Sequence, residues 1–349
     1  MTAGEDPARA GGQAATLHEI GERGLIERIR RRLGTSPGAG VLVGIGDDAA
    51  AVVAVCGQTL LLTTDALLEG VHFRRETATC REIGAKALTV NVSDIAAMGG
   101  EPRWALLTLA LPPAFTTAEV DDLYAGFGEI AERFGVSLIG GDTCAAPAGL
   151  VLAVTLVGTV DGAPVRRSGA RPGDLVLTTG TLGGSAAGLA VIKERGAQAP
   201  PEALDAVRHA HVAPTPRLAE GRLIRASGTA TAMIDVSDGL VTDLGHLLAE
   251  SGVSAEVRLA DLPIAEATRV VARALNVDPV SWALSGGEDY ELLFTVPAGL
   301  AEALARRVTA ETGTPVQVIG RIHHAGPGLV ILDEMGRPGV ARPGFDHFA

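Results

Sequence analysis

Apolar residues recur every second position in some stretches of the chain and every three to four in others, and the alternation sorts it into strands and helices. Residues 17–33 place Ile26, Ile29 and Leu33 on one face and Arg28 and Arg30 to Arg32 on the other, which predicts a helix with a solvated basic side. Strands are expected at 40–45, 50–55 and 59–63. A helix follows over 82–98, with Ile83, Ala87, Val90 and Met98 at apolar spacing. A strand at 104–111 stops at Pro112-Pro113, a helix fills 117–134, a short strand 137–139 ends in Gly140-Gly141-Asp142, and 150–160 is again a strand. Gly, Pro and Arg cluster over 161–172 and mark a boundary. The second half restarts with a strand at 174–178. A glycine-rich turn (180–188) then runs into a helix ending near Glu194, and 196–201 is a loop. Further strands are expected at 232–235, 254–258, 291–296 and 316–319, with a helix over 240–248. Each half mixes helix and strand, so the fold class is α+β or mixed α/β.

The chain has 349 residues, more than one core usually serves, which favours two domains. Residues 1–15 are Gly/Ala-rich and read as a flexible tail. The balance of 29 Lys+Arg against 41 Asp+Glu gives a formal charge of −12. That argues against non-specific nucleic-acid or anionic-membrane binding, and any anionic substrate needs local help from Arg, Lys or metal. The three cysteines, Cys56, Cys80 and Cys144, form no CxxC pair and suit a reduced, cytoplasmic setting. No basic-then-apolar leader opens the sequence. The uncharged run 49–64 contains Gly57 and Gln58 and reads as two strands and a turn rather than a membrane span.

The acids gather in short motifs, most of them glycine-flanked: Gly46-Asp47-Asp48, Thr63-Thr64-Asp65, Asn91-x-x-Asp94, Gly140-Gly141-Asp142, Asp235-x-Ser237-Asp238-Gly239 and Gly286-Gly287-Glu288-Asp289. Several directly follow an apolar strand, so their carboxylates are expected at strand ends. Any one of them alone reads equally as a turn or helix cap. Together, carboxylates with threonine hydroxyls suit a hard, oxygen-preferring cation, Mg²⁺ before Ca²⁺. Adjacent acids such as Asp47-Asp48 are costly in an apolar segment unless positive charge occupies their field; Asp48 is the expected ligand, Asp47 a second ligand or a loop acceptor. Gly44-x-Gly46-x-x-Ala49 matches a dinucleotide fingerprint, but two carboxylates there would repel a pyrophosphate. No GxxxxGK[S/T] loop and no protein-kinase motif set is present.

In their order, "GIGDDAA", "TTDALLEGVHF", "KALTVNVSDIAAMGGEP", "LIGGDT", "RSGARPGD", "IDVSDGLVTDLGH", "ALSGGEDYELLFTVP" and "GFDHF" resemble the thiamine-monophosphate kinase family, of the superfamily shared with aminoimidazole ribonucleotide synthetase. The likeness runs from Leu25 to Phe348. It implies a two-domain synthetase-like fold. Residues 16–162 would bind ATP and Mg²⁺ and form a homodimer through their sheet, and 163–349 would be an α/β sandwich completing the site. By position, the implied metal ligands are Asp48, Thr63, Thr64, Asp65, Asp94, Asp142, Asp235 and Asp238. Asp65, Asp94 and Asp142 would be catalytic. Gly141, Asp142, Arg167 and Ser237 would meet ATP, and His72, Glu288 and Phe345 thiamine monophosphate. The implied reaction is Mg²⁺-dependent transfer of the ATP γ-phosphoryl group to thiamine monophosphate. Rival readings are another ATP-dependent member of the superfamily, a metal-dependent phosphohydrolase, and a non-catalytic nucleotide or metal sensor.

Overall fold

The computed structural model describes residues 41–43, 47–53, 58–194, 197–326, 328–339 and 344. The expected tail, the helix over 17–33 and Phe345 lie outside them. Thirteen strands among the described residues form two sheets. The first contains β1 (Val41–Val43), β2 (Ala50–Val53), β3 (Thr59–Leu68), β4 (Glu101–Leu111), β5 (Ser137–Ala145) and β6 (Val151–Val160), in the order β1-β2-β3-β6-β4-β5. All its pairings are antiparallel except β4 with β5. The second holds β7 (Asp174–Thr179), β8 (Ala232–Asp235), β9 (Ser254–Arg258), β10 (Leu292–Pro297), β11 (Val316–His323), β12 (Leu329–Leu332) and β13 (Pro338–Gly339). Its order is β13-β12-β9-β11-β7-β10-β8.

Nine helices are present among the described residues: α1 (Cys80–Ala97), α2 (Thr117–Phe134), α3 (Gly184–Lys193), α4 (Pro201–Val212), α5 (Leu218–Ala226), α6 (Leu240–Ser251), α7 (Glu266–Leu275), α8 (Pro279–Ser285) and α9 (Ala298–Thr312). Each of the first two begins with a reciprocal cap, Thr79 with Glu82 and Thr116 with Glu119, which satisfies the free amides of the first turn. They cross closely because each has a glycine at the contact. A Cβ on Gly84 would lie 2.0 Å from the Leu123 carbonyl oxygen, and one on Gly126 1.8 Å from that of Arg81.

Thirteen of the 18 residues of α1 are buried, so it keeps no solvent face. It touches β3, β4 and β6 of the first sheet and β8 of the second. One apolar core therefore runs through both halves, joining Leu88, Val92 and Ile95 of α1 to Leu107 and Leu156 of the first sheet and to Met233 and Phe294 of the second. On the other face of the second sheet, Val176, Ile234 and Leu293 pack with Leu244 and Leu247 of α6.

Two expectations about the acid motifs meet a different arrangement. β3 does not stop at Thr63 but continues through Asp65 to Leu68, paired with β6 along its whole length. β5 likewise continues through Gly140-Gly141-Asp142, held parallel to β4 past an irregularity at Ala105/Leu106. These acids sit within strands because a long neighbouring strand keeps supplying hydrogen-bond partners.

Candidate active site

Three carboxylates from distant parts of the chain meet at one point. Asp48 precedes β2, Asp94 lies in the last turn of α1, and Asp235 ends β8. One oxygen of each lies within 4.8 Å of the others, a grouping that could hold a metal ion. β3 alternates its faces, so Thr63 and Asp65 share the side turned toward α1. Thr63 donates its hydroxyl to Asp94 Oδ2, and Ser93 Oγ donates to Asp235 Oδ2 at 2.6 Å.

The crowding shows in the protonation equilibria. Burial raises the pKa of Asp94 well above the usual carboxylate range, and the charges of Asp65, Asp235 and Asp48 add to it. Asp235 is raised by burial and then by Asp48. Asp65 stands at the solvent-facing rim. The protein packed around its carboxyl and the charge of Asp48 lift it to about 6. Two carboxylates at such separations repel by about 3.5 kcal/mol at an effective dielectric of ~20. The donors are all oxygens, which suits a hard cation. Asn91, three residues before Asp94, adds an acceptor: its Nδ2 donates to the Ala87 carbonyl at 3.0 Å, while its buried Oδ1 has no hydrogen-bond partner among the described residues.

A fixed cation already answers part of this charge. Arg167 grips Asp48 with a fork, Nε to Oδ2 at 3.0 Å and Nη2 to Oδ1 at 2.9 Å. The compensation that the sequence suggested for the adjacent acids thus includes a guanidinium as well as any metal. Asp47 proves to be a loop acceptor: its carboxylate takes the backbone N–H groups of Asp48 (3.1 Å) and Arg167 (3.1 Å). Burial and the Asp48 charge raise its pKa to about 7.

Thr64, Gly141 and Asp142 are not brought to this point. Thr64 faces away from α1 and donates to the Val154 carbonyl at 3.0 Å. Asp142 lies on the exposed edge strand opposite Thr108. It is three strand spacings from β3, about 14 Å, and its row across the sheet places it on the same face as Thr64. Asp238 lies just beyond Asp235, outside the trio, in the loop with Ser237. An acid that sequence reasoning missed holds this loop: Asp243 Oδ2 accepts from the amides of Asp238 (3.1 Å) and Gly239 (2.9 Å). The signal was available, since an acid in the first turn of a helix after Ser-Asp-Gly is a capping position.

A second polar group surrounds Glu288. The backbone there is held in the left-handed region (Gly287 φ 67°, Glu288 φ 55°), and the Glu288 amide donates to the Ser237 carbonyl at 2.6 Å. A Cβ on Gly287 would lie 2.6 Å from that same carbonyl oxygen, so only glycine fits. The Glu288 carboxylate meets Lys86 Nζ at 2.7 Å and His211 Nδ1 at 3.3 Å. Burial alone would raise its pKa, but Lys86 and His211 bring the net shift below the usual value. His72 Nδ1 accepts the Leu68 amide at 3.0 Å, which fixes the neutral ring as the Nε2–H tautomer. His72, Lys86 and His211 line one cavity together with Phe73, Arg74 and Glu82.

Family models match both halves: AIR synthase related protein, N-terminal domain, over residues 46–160, and AIR synthase related protein, C-terminal domain, over 171–332. The chain is 38% identical over 336 residues to thiamine-monophosphate kinase of Escherichia coli K12, covering 94% of this chain and 98% of that protein. The structure of AaThiL complexed with AMPPCP and TMP superposes with a TM-score of 0.84 at 35% identity, covering 96% of this chain and 100% of that one. Thiamine-monophosphate kinase from Stenotrophomonas maltophilia K279a gives 0.73 at 39% identity, covering 88% and 95%. With these likenesses extending over both halves, the chain belongs to the thiamine-monophosphate kinase family.

Proposed function

We propose that the chain transfers the γ-phosphoryl group of ATP to the phosphate of thiamine monophosphate, giving thiamine diphosphate and ADP. The observation that carries the reading is the convergence of Asp48, Asp94 and Asp235 beside Thr63 and Asp65. The names of its relatives and the nucleotide and TMP bound to AaThiL support it. A phosphate monoester is largely ionised near neutral pH, its second pKa being about 6, so the acceptor needs no strong base. The obstacle is repulsion between two polyanions.

Asp48, Thr63, Asp65, Asp94, Asp235 and Asp238 would hold Mg²⁺. When bound there, Mg²⁺ would supply the positive charge that offsets this repulsion. Asp65 and Asp94 would sit nearest the transferred group. Arg167, held by Asp48, and Ser237 would contact ATP. His72, Glu288 and Phe345 would receive the thiamine moiety, the Glu288 carboxylate accepting from its aminopyrimidine. Residues 16–162 are the proposed nucleotide, metal and dimerisation domain, and 163–349 the domain that completes the site. Exposed Trp104, Leu106, Leu138 and Ile139 on β4 and β5 support pairing with a second copy through the first sheet. A cytoplasmic location fits the free cysteines Cys80 and Cys144. No helix among the described residues is long and apolar enough to cross a membrane.

Incubation with ATP, MgCl₂ and thiamine monophosphate, followed by chromatography, tests the reading. Thiamine diphosphate formed in step with ADP is expected. Phosphate release without ATP consumption, or no diphosphate at all, would overturn it.

A further inference from the structure

Lys86 belongs to none of the groups discussed as metal, ATP or thiamine contacts, yet it is only 5% exposed in a helix otherwise buried among apolar residues. A lysine so placed must be paired, because an uncompensated buried charge is costly. Its partner is Glu288, 2.7 Å away, on a loop of the other half of the chain. The second Glu288 oxygen faces His211 Nδ1 at 3.3 Å, and that nitrogen also meets Ser185 Oγ at 3.0 Å. Burial and the nearby Lys86 charge depress His211 to about 4, so it is neutral at pH 7 and Lys86 is the cation that balances Glu288. The carboxylate is therefore clamped from α1 and α4, on a backbone fixed in the left-handed region.

One helical face carries two such links. Lys86 and Ser93 are seven residues apart, two turns of α1, and so point the same way. Ser93 reaches Asp235 in the acid trio, and Lys86, which lines the cavity, reaches Glu288. The same rod thus sets the position of both ends of the site.

We propose that Lys86 is a positioning residue for thiamine-phosphate binding: it holds the Glu288 carboxylate in place, with His211 as a second support, so that the site selects a ligand presenting an N–H donor or a cationic ring. This rests on the reading that Glu288 meets the thiamine moiety, and the experiment separates the two. Steady-state kinetics with both substrates varied are measured for Glu288→Gln, Lys86→Met and the double variant. The double variant leaves no unpaired charge and keeps the test open if Lys86→Met folds poorly. Loss of one charge-assisted hydrogen bond predicts a KM for thiamine monophosphate raised about tenfold or more in each single variant, with KM for ATP within about twofold. Because Lys86 acts through Glu288, the double variant is expected to be no worse than the poorer single one. An unchanged KM in Glu288→Gln would overturn the substrate-site reading itself. A clear effect in Glu288→Gln with none in Lys86→Met, with multiplying effects in the double variant, or with a Lys86→Met defect shared equally by ATP, would overturn the positioning role alone.

Discussion

Replacing Asp94 with Asn separates what the acid cluster does for the fold from what it does for catalysis. Asn keeps an oxygen to accept the Thr63 hydroxyl but removes a buried charge from among Asp48, Asp65 and Asp235. At about 4.8 Å, the limit for Asp48 and Asp235, one such pair repels by about 3.5 kcal/mol at an effective dielectric of ~20. The Thr63 hydroxyl and the Arg167 guanidinium beside Asp48 offset part of this, so the expected gain is roughly 1–3 kcal/mol. In EDTA, Asp94→Asn is therefore expected to melt roughly 2–6 °C above the parent chain. Added MgCl₂ should raise the melting temperature of the parent, since a cation bound only by the folded form stabilises it. The variant should lose most of that response, and its turnover should fall on the order of 10³-fold. Differential scanning fluorimetry with and without MgCl₂, beside the chromatographic kinase assay, gives all three readouts. An Asn variant that melts lower in EDTA while keeping parental turnover and the parental response to MgCl₂ would refute the reasoning, and Asp94 would then be an ordinary satisfied core group.

Two further outcomes are expected. His211 has a folded pKa of about 4, below its unfolded value near 6.5, so the native state binds fewer protons in that window and loses stability as pH falls from 6.5 to 4. His211→Gln should flatten the loss by about 2–3 kcal/mol, read by urea unfolding at pH 7 and pH 4.5; an equal loss in both proteins would remove His211 from the account. Ile139→Glu puts a charge on an exposed apolar strand and should shift light-scattering mass from dimer to monomer; an unaltered mass would show that the first sheet is not the contact.

Much of this site was legible in the sequence, but not its assembly. The motifs named Asp48, Asp94 and Asp235 as candidates, yet spacing could not say that they converge; that follows from α1 running between the two sheets. The period of two along Thr63-Thr64-Asp65 was enough to say that Thr64 faces away from its neighbours once the strand was known to continue, and that depended on β6. Lys86 is not marked as an ion-pair partner by any local pattern; only the tertiary structure supplies Glu288. Arg167 was read as a phosphate contact, and its grip on Asp48 depends on a long-range approach that no local pattern encodes.

The enclosure of α1 has a consequence for motion. Its backbone amides belong to the part of the molecule that opens only when the whole unfolds, so they should be among the slowest to exchange with deuterium. Reactants cannot be admitted by swinging this element aside; entry and exit fall to the loops around it. The spacing between the acid trio and the cavity beside Lys86 therefore stays constant through every turnover, like the distance between two marks on a ruler.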